Sequence, residues 1–486
     1  MRPTASGGPA ARSTCSRSRR RATEARSPWR TPLECSGVLA TGFHFTGVSS
    51  REAPRGEGTS RGGAGDAHML GRRRFNTLLA GTAGWVVAGP LGTAAAQSQP
   101  RGAVYASLGA RLYRIRRDGD SLVRDPRPLV LPAQVQEGWQ HPSGRYFYIA
   151  SSDQRTSTAR VRHHYLNAFR VDSSGDLQPF GGSVELPHRP IFITVDQRGE
   201  YVLSAYSFPS SLSVHRLNAD GSIGDMVEQQ ASLDAGFYAH AVYVMPSNRA
   251  VLLPVRGNEP EPGIHTEDPG GLFLYGFDKG QLTNKQTVAP NGGLAYRARH
   301  ADFHPSGRWV YVDLETQNLL HTYAIRADDT LSDEPLFVST TLAAPEAYRG
   351  GQTTSSIRMH PTNGRTLYVA NRGRGTETFR GEVVANGTEN TISVFDVDAD
   401  TGEPALVQTI DTHSIAVRTM AFQPDGRSMV AASPEPGQVR AEGRLETVPA
   451  MLTLYDIDAD GRLAFRSILP VDTRGESMFW SGIVRY

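Results

Sequence analysis

The sequence is short of cysteine, and this excludes several kinds of chemistry. Of 486 residues, two are cysteines, Cys15 and Cys35, and both lie in an arginine-, serine- and glycine-rich stretch at the start of the chain. The rest of the chain therefore has no disulfide, no thiolate nucleophile and no cysteine-ligated metal.

An excess of positive charge is also missing from most of the chain. The first 96 residues hold 14 of the 51 basic residues and 5 of the 49 acidic ones, which leaves a net charge of −7 on the remainder. Binding to nucleic acid needs a basic face that displaces counterions. The composition therefore argues against a nucleic-acid partner.

Long apolar runs are scarce, and the run at 78–96 follows the basic segment GRRRF at 71–75. Small residues at Ala94 and Ala96 complete the pattern of a secretion signal. Arg72 and Arg73 followed by Phe75 resemble the twin-arginine pattern, which addresses folded proteins for export. A membrane anchor is the alternative, but glycine and proline interrupt the run and it is short for a span.

This pattern divides the chain into three parts. Residues 1–68 are interpreted as a disordered arm or a misassigned start, 69–96 as a cleaved twin-arginine-type signal peptide, and 97–486 as the mature protein. We expect the mature protein to be periplasmic or secreted, without a stable membrane anchor, and monomeric.

The mature part shows strand patterns instead of helical periods. A phrase made of a turn and an apolar strand recurs at intervals of about 50 to 60 residues, which is typical of propeller blades. Hairpins rich in Asp and Gly follow each copy, so each repeat predicts a four-stranded antiparallel sheet. The six copies are HPSGRYFYIAS at His141, DQRGEYVLSAY at Asp196, MPSNRAVLLPV at Met245, HPSGRWVYVDLE at His304, HPTNGRTLYVANR at His360 and QPDGRSMVAAS at Gln423.

The two ends of the mature part suggest a seventh blade. A pair of strands from Ala103 has no preceding turn phrase, and the strand from Phe479 has no successor. Joined, they would close the ring and remove its open edges. The fold class predicted is all-β, a single seven-bladed β-propeller. Two insertions, at 256–271 and 372–390, should project from the same rim, where propellers place specificity.

Some polar residues depart from the repeat and mark a candidate site. Arginine suits a planar anionic group because its fork donates paired hydrogen bonds. Glu315 could act as a general base, with Arg299 or His300 stabilising an oxyanion. Each residue could instead pin neighbouring blades together. The candidates before the turn phrases are His240, Arg299, His300, Arg358 and Arg418, and those after the second strands are Glu315, Asn371 and Arg372.

Other catalytic motifs give weak signals. The histidines lack metal-ligand spacing, and no GxSxG nucleophile elbow is evident. We therefore predict no metal site and no cofactor. His141, His304 and His360 lie inside the turn phrases and are interpreted as turn or packing residues.

The runs RHADFHPSGRWVYVDLE, SSIRMHPTNGRTLYVANR and TISVFDVDADTGEP resemble conserved blocks of the seven-bladed propeller lactonases, the family of bacterial 6-phosphogluconolactonases and fungal carboxy-muconate lactonising enzymes. The resemblance covers nearly the whole predicted mature chain. It implies that seven of the candidates lie in or around the family's central cleft: His240, Arg299, His300, Glu315, Arg358, Asn371 and Arg372.

Three functional hypotheses remain open. The first is an exported lactonase or lactonising isomerase that acts on a carboxylated or sugar-derived small molecule. Glu315, His300 and Arg299 would then be catalytic, and His240, Arg358, Asn371, Arg372 and Arg418 would bind the substrate. The second is a non-catalytic exported propeller that binds a ligand or a protein, and the third, weaker one is a quinone- or metal-dependent dehydrogenase.

Overall fold

The computed structural model describes residues 101–154 and 162–486, and within these ranges nearly all regular structure is antiparallel strand. The helical elements found there are two short 3-10 turns, Pro290–Gly293 and Pro345–Ala347. Neither is long and apolar enough to cross a membrane. The predicted arm and signal peptide, 1–96, lie outside the described residues.

In the first half of the propeller, second strands of blades such as Tyr146–Ser152 and Ala250–Val255 are buried throughout, whereas outermost strands such as Leu177–Glu185 are mostly exposed. In chain order the strands of this half are β1 (Gly102–Leu108), β2 (Arg111–Asp118), β3 (Ser121–Arg124), β4 (Leu129–Val130), β5 (Gln134–Gln140), β6 (Tyr146–Ser152), β7 (His164–Val171), β8 (Leu177–Glu185), β9 (Pro190–Val195), β10 (Tyr201–Ser207), β11 (Ser210–Leu217), β12 (Ile223–Met226), β13 (Tyr243–Val244), β14 (Ala250–Val255), β15 (Gly271–Asp278) and β16 (Gln281–Val288).

The second half repeats the same plan. Its strands are β17 (Ala298–Phe303), β18 (Trp309–Leu314), β19 (Leu319–Ala324), β20 (Phe337–Thr340), β21 (Gln352–Met359), β22 (Thr366–Gly373), β23 (Thr376–Phe379), β24 (Glu382–Ala385), β25 (Thr391–Val397), β26 (Pro404–Asp411), β27 (Thr419–Phe422), β28 (Ser428–Ser433), β29 (Gly437–Ala441), β30 (Arg444–Val448), β31 (Ala450–Ile457), β32 (Leu463–Val471) and β33 (Ser481–Arg485).

These strands form seven four-stranded antiparallel blades, so the predicted propeller is confirmed. Blades two to five are β5–β8, β9–β12, β13–β16 and β17–β20, each in chain order. Blade six is β21-β22-β25-β26 and blade seven is β27-β28-β31-β32. The first strand of each of these blades lies innermost, next to the first strands of its neighbours.

The first blade is built from both ends of the described chain, as the sequence predicts. Its order is β33-β1-β2-β3, with β4 also paired to β2. In the register of β1 and β33, Gly102 lies opposite Arg485 and Ala106 lies opposite Ser481. This pairing joins the two ends of the described chain and closes the ring, which is how propellers protect their terminal strands.

The recurring turn phrase has a clear physical role. Its glycine adopts a positive φ, for example 70° at Gly307, and Asn248 takes the same position with φ of 59° in the copy that lacks glycine. The histidine at the start of the phrase accepts from the turn backbone: Ser306 N lies 3.1 Å from His304 Nδ1. His360 Nε2 also contacts the Gly426 carbonyl of the next blade at 2.9 Å, and His141 Nε2 contacts the Gly199 carbonyl at 3.0 Å, so these two histidines also link blades.

A repeated tyrosine joins each of four blades to the blade that follows. Its hydroxyl donates to the carbonyl of a hairpin glycine, as Tyr311 does to Gly402 at 3.0 Å. These tyrosines are buried, and a carbonyl buried without a donor would be costly. The other three pairs are Tyr105 with Gly175, Tyr148 with Gly221 and Tyr368 with Gly461.

Insertions between the second and third strands project from one rim. Blade six carries the hairpin β23–β24 inside the predicted insertion 372–390. The predicted insertion at 256–271 in blade four is held by bridges between Asn258 and Asp268 and between Glu261 and His265. Blade seven adds a third insertion, the hairpin β29–β30, which the sequence analysis missed.

Candidate active site

The repeat brings two sets of polar residues together at the rim that carries the insertions. His240, Arg299 and Arg418 each stand five residues before the turn phrase of their blade. Arg256 and Glu315 each stand eleven residues after the start of that phrase, and Arg372 stands twelve after because its turn has one residue more. Because the repeats superpose, all six residues lie around one opening at this rim, which we call the mouth.

Glu315 lies at the centre of this group. It follows β18 directly and is 7% exposed. Its Oε2 accepts from Arg256 Nε of blade four, and its Oε1 accepts from Arg372 Nη2 of blade six. Arg299 Nε, on the inner strand of the same blade, lies 3.3 Å from Glu315 Oε1. One carboxylate is thus shared by three guanidiniums, and the group is strongly positive.

These ion pairs set the charge of Glu315. Burial by itself would raise its pKa, but the guanidiniums of Arg372, Arg299 and Arg256 outweigh burial and hold the pKa far below its usual range. Glu315 is therefore ionised at any physiological pH. A carboxylate stabilised in this way is a weak base, because each guanidinium favours the deprotonated form.

Two imidazoles complete the group. The ring centroids of His240 and His300 lie 5.1 Å apart. The Nδ1 atoms of both rings are buried, and neither has a hydrogen-bond partner among the described residues. The pKa values of both imidazoles are well below the ordinary 6.5, mainly because the rings are buried and also because Arg299 is close by. Both rings are therefore neutral and offer a nitrogen to a ligand.

Asp313 lies behind His300 and was missed by the sequence analysis. Its Oδ1 accepts from the His300 backbone N at 2.7 Å, and its Oδ2 accepts from Thr354 Oγ1 at 2.7 Å. Burial raises the pKa of Asp313 to about 6. The side chain fixes the backbone at the bulge of β17 that carries Arg299 and His300, so it positions the site.

Arg256 was also missed, although its signal was present. It stands at the start of the insertion 256–271, which had been interpreted as a specificity loop. Counting from the turn phrase gives it the same place as Glu315 and Arg372. Its guanidinium lies over the ring of Tyr238, whose centroid is 5.5 Å from Arg256 Cζ.

Two predicted site residues lie apart from Glu315. Asn371 is fully buried, and its Nδ2 is within hydrogen-bond distance of the Thr341 carbonyl (2.6 Å) and Thr391 Oγ1 (2.9 Å). This arrangement ties strands of blades five and six together. The predicted role of Asn371 in substrate binding stays a prediction, and its contacts favour the alternative of a blade-linking residue.

Arg358 lies towards the end of β21 that is farther from Glu315 and Arg372. It stands two residues before the turn phrase, in the place that Asp302 takes in blade five. Burial alone would lower the pKa of Arg358, but Tyr243, Asp302 and Glu137 raise it. Arg358 thus pairs electrostatically with groups deeper in the channel, and its charge still lowers the pKa of His300.

Arg418 stands at the edge of the group on blade seven. Its Nε donates to the Phe479 carbonyl at 3.0 Å, and its Cζ lies 3.8 Å from the centroid of the Phe479 ring. Burial, Arg299 and Arg372 hold its pKa well below the ordinary value. In the described part of the chain Arg418 forms no ion pair.

Metal-ligating side chains do not gather within residues 101–154 and 162–486: no three of His, Cys, Asp and Glu lie close enough to share an ion. The expectation that the protein needs no metal or cofactor stays a prediction.

Comparison with known proteins decides the family. A family model described as "Lactonase, 7-bladed beta-propeller" matches residues 138–444. The chain belongs to this family. A 6-phosphogluconolactonase of Serratia proteamaculans is 23% identical over 358 residues, which are 73% of this chain and 89% of the relative. A 6-phosphogluconolactonase of Bacillus subtilis is 26% identical over 299 residues, or 59% of this chain and 77% of the relative.

Solved structures share the fold of this propeller lactonase family member. A periplasmic gluconolactonase of Pseudomonas aeruginosa superposes with a TM-score of 0.57 at 19% identity, covering 77% of this chain and 97% of that one. A protein from Lactobacillus plantarum gives a TM-score of 0.58 at 18% identity, covering 80% of this chain and 99% of that one.

Proposed function

We propose that this protein is a lactonase that hydrolyses a lactone bearing a carboxylate or another anionic group, at the mouth around Glu315. The observation that carries the proposal is the excess of guanidiniums: Arg256, Arg299 and Arg372 share one carboxylate. Membership of the lactonase family and relatives named 6-phosphogluconolactonase support the same class of reaction.

The positive charge of the mouth favours an anionic substrate. Guanidiniums bind carboxylate and phosphate through paired hydrogen bonds. The same charge also stabilises an oxyanion when water attacks the lactone carbonyl. We assign this second role to Arg299, because it lies 3.3 Å from Glu315 and its charge acts on both imidazoles.

The geometry favours a revised division of roles within the predicted catalytic set. Glu315 was predicted to be the base, but its three ion pairs weaken it for that purpose. We assign it the role of holding the guanidiniums in place. Burial and Arg299 also lower the pKa values of His240 and His300, but neither imidazole forms an ion pair in the described chain, so an imidazole nitrogen is the more available acceptor for the proton of an attacking water.

The reaction balances with these groups. Water adds to the lactone carbonyl carbon and gives one proton to an imidazole nitrogen, while the carbonyl oxygen becomes an oxyanion beside Arg299. The ring C–O bond then breaks, the oxyanion returns to a carbonyl, and the imidazolium returns the proton to the released alkoxide. The product is a hydroxy acid, and the enzyme is regenerated.

A panel of lactones tests this proposal. Neutral, carboxylated and phosphorylated lactones of one ring size would be incubated with the wild type and with His240→Asn, His300→Asn, Glu315→Gln and Arg427→Gln. Arg427 is an exposed arginine in a turn of blade seven and serves as the control. We expect hydrolysis of the anionic lactones, a fall in kcat of about 10²–10⁴ for the imidazole that acts as base, and no change for Arg427→Gln.

Two outcomes would contradict parts of the proposal. If no lactone is hydrolysed while hydroxy acids still bind, the protein is a binding propeller, which was the second hypothesis. If both imidazole variants keep full kcat, then neither imidazole is the base and that assignment is wrong.

Export is a further part of the proposal. Its support is the sequence pattern of 69–96, with Arg72 and Arg73 ahead of the apolar run. Fused to a reporter, this segment should direct export, and Arg72→Lys with Arg73→Lys should abolish it. A reporter that stays inside with the unaltered segment would overturn the proposal. The monomeric state stays a prediction.

A further inference from the structure

A cavity of about 520 Å³ lies beside the active-site group, between the insertions of blades six and seven. Its walls come from the bases of the hairpins β23–β24 and β29–β30. Its floor is formed by Arg372 and Arg418 and by the ring of Phe479. Cavities of about 300–1,000 Å³ hold drug-sized ligands, so this one has room for a sizeable substituent.

The hairpins hold each other above this cavity. Arg440 on β29 lies over the ring of Phe379, which ends β23, at 5.3 Å, and Arg380 covers the same ring at 5.1 Å. Contacts at the tips therefore fix the spacing of the two hairpins. The space nearer their bases remains open as a consequence of this spacing.

The lining of the cavity has an apolar side and a cationic side. Val384, Ile415 and Phe479 supply the apolar surface, while Arg372, Arg374 and Arg418 supply guanidiniums. Glu435 is the carboxylate among the lining residues of the described chain. Such a lining fits an apolar body that carries a negative charge, since each part would meet its complement.

Arg418 gives the strongest indication of a ligand. The only hydrogen bond of its side chain to the described residues is from Nε to the Phe479 carbonyl, so both Nη groups lack a protein acceptor there. Arg299 and Arg372 repel it more strongly than Glu137 attracts it, and Arg372 is already paired with Glu315. Arg418 is half-buried and forms no ion pair within the described chain, which is costly for a guanidinium, and an anion in the cavity would offset that cost.

We infer that this cavity is a substrate side pocket that binds an extended apolar substituent ending in a carboxylate, with Arg418 as the residue that recognises the carboxylate. This inference rests on the proposed lactonase function, and it narrows the substrate from any anionic lactone to one with such a substituent. Arg372 connects the pocket to the reacting centre, because it lines the cavity and pairs with Glu315.

Binding of a non-reactive probe tests the pocket without requiring turnover. Calorimetry would compare 4-phenylbutyrate with its neutral amide and with acetate, on the full chain. We expect 4-phenylbutyrate to bind, the amide and acetate to bind more weakly, and Arg418→Gln to lower the affinity for 4-phenylbutyrate by about 10- to 100-fold. The control Arg427→Gln should bind as the wild type does.

A second variant keeps the test decisive if Arg418→Gln disturbs the fold. Thr447 is exposed at the end of β30 and lines the cavity. Thr447→Trp should fill the space and reduce binding of both 4-phenylbutyrate and its amide. Absence of wild-type binding, or equal loss in Arg427→Gln, would overturn the inference.

Kinetics then separate this inference from the proposed function. Two lactones with the same ring, one with and one without a phenylalkanoate substituent, would be assayed. Arg418→Gln should lower the ratio of their kcat/KM values by about tenfold or more. An unchanged ratio overturns the substrate inference. Probe binding that depends on Arg418 in a protein that hydrolyses no lactone supports the pocket and overturns the proposed function.

Discussion

Glu315 and Arg372 form a buried ion pair between two neighbouring blades, with side chains 9% and 6% exposed. Because Arg256 reaches the same carboxylate from the blade on the other side, one acidic side chain joins blades four, five and six at the rim. The site and the stability of this part of the ring therefore depend on the same contact.

Removing the charge of Glu315 should destabilise the protein. Glu315→Gln would leave three buried guanidiniums without their carboxylate, and breaking a buried ion pair in this way costs about 3–5 kcal/mol. Urea denaturation would measure the loss. The control is Asp396→Asn, which breaks an exposed pair with Arg365 and should cost about 1 kcal/mol or less. Equal losses in the free energy of unfolding of the two variants would show that the ion pairs of Glu315 do not stabilise the ring.

Asp313 should make stability depend on pH in a definite direction. Its folded pKa of about 6 is above the ordinary 3.8, so ionisation costs more in the folded state than in the unfolded one. The contribution of Asp313 to the free energy of unfolding is greatest below about pH 4, and it is lost as the pH rises towards 6. Asp313→Asn does not ionise, so the Tm of the variant relative to the wild type should rise between pH 4 and pH 8. A constant difference would refute this.

Acid should destabilise the protein through its buried histidines. Burial lowers the pKa of His321 to about 4, so the unfolded chain takes up protons first as pH falls below about 6.5. Stability present at pH 7 is then lost on acidification, by up to about 1.4 kcal/mol per pH unit for each such group. The described histidines with a lowered pKa are His164, His215, His240, His300, His304, His321 and His360.

Thermal unfolding at pH 7.5 and pH 5.5 would check this effect. His321→Gln should lose less stability over that interval than the wild type. The exposed His163 offers a control, and His163→Gln should follow the wild type. A wild-type Tm that does not fall between the two pH values would contradict the expectation.

The tyrosines that bridge blades should each contribute measurably to stability. Tyr311→Phe removes the donor to the buried Gly402 carbonyl and should cost about 1–3 kcal/mol. Tyr348, which is 54% exposed, supplies the matched control, and Tyr348→Phe should be nearly neutral. Comparable losses of stability in the two variants would mean that the hydrogen bond from the Tyr311 hydroxyl does not stabilise the ring.

The fold was predictable from the sequence because the same sequence pattern recurs in successive blades. The turn phrase marks the first two strands, and the Asp- and Gly-rich hairpins mark the last two. The unpaired strands at Ala103 and Phe479 predicted closure. The hairpin β29–β30, whose turn contains Gly443, was missed although the insertions of blades four and six lie at the same point, between the second and third strands.

The site was predictable only in part. Single residues that depart from the repeat were visible, and these gave His240, Arg299, His300 and Glu315. Counting positions from the turn phrase would also have revealed Arg256 and separated Arg358 from the others. The role of Asp313 could not be read from the sequence, since it depends on a bulge that turns the His300 backbone towards it.

The pairing of β33 with β1 has a consequence for the order of events during synthesis. β1 is synthesised before the other strands of the described chain, but its partner β33 is synthesised after all of them. Blades two to seven can each form as their own residues emerge, but blade one is incomplete until Ser481–Arg485 has left the exit tunnel. The ring of blades therefore stays open until β33 has emerged, however early blades two to seven form.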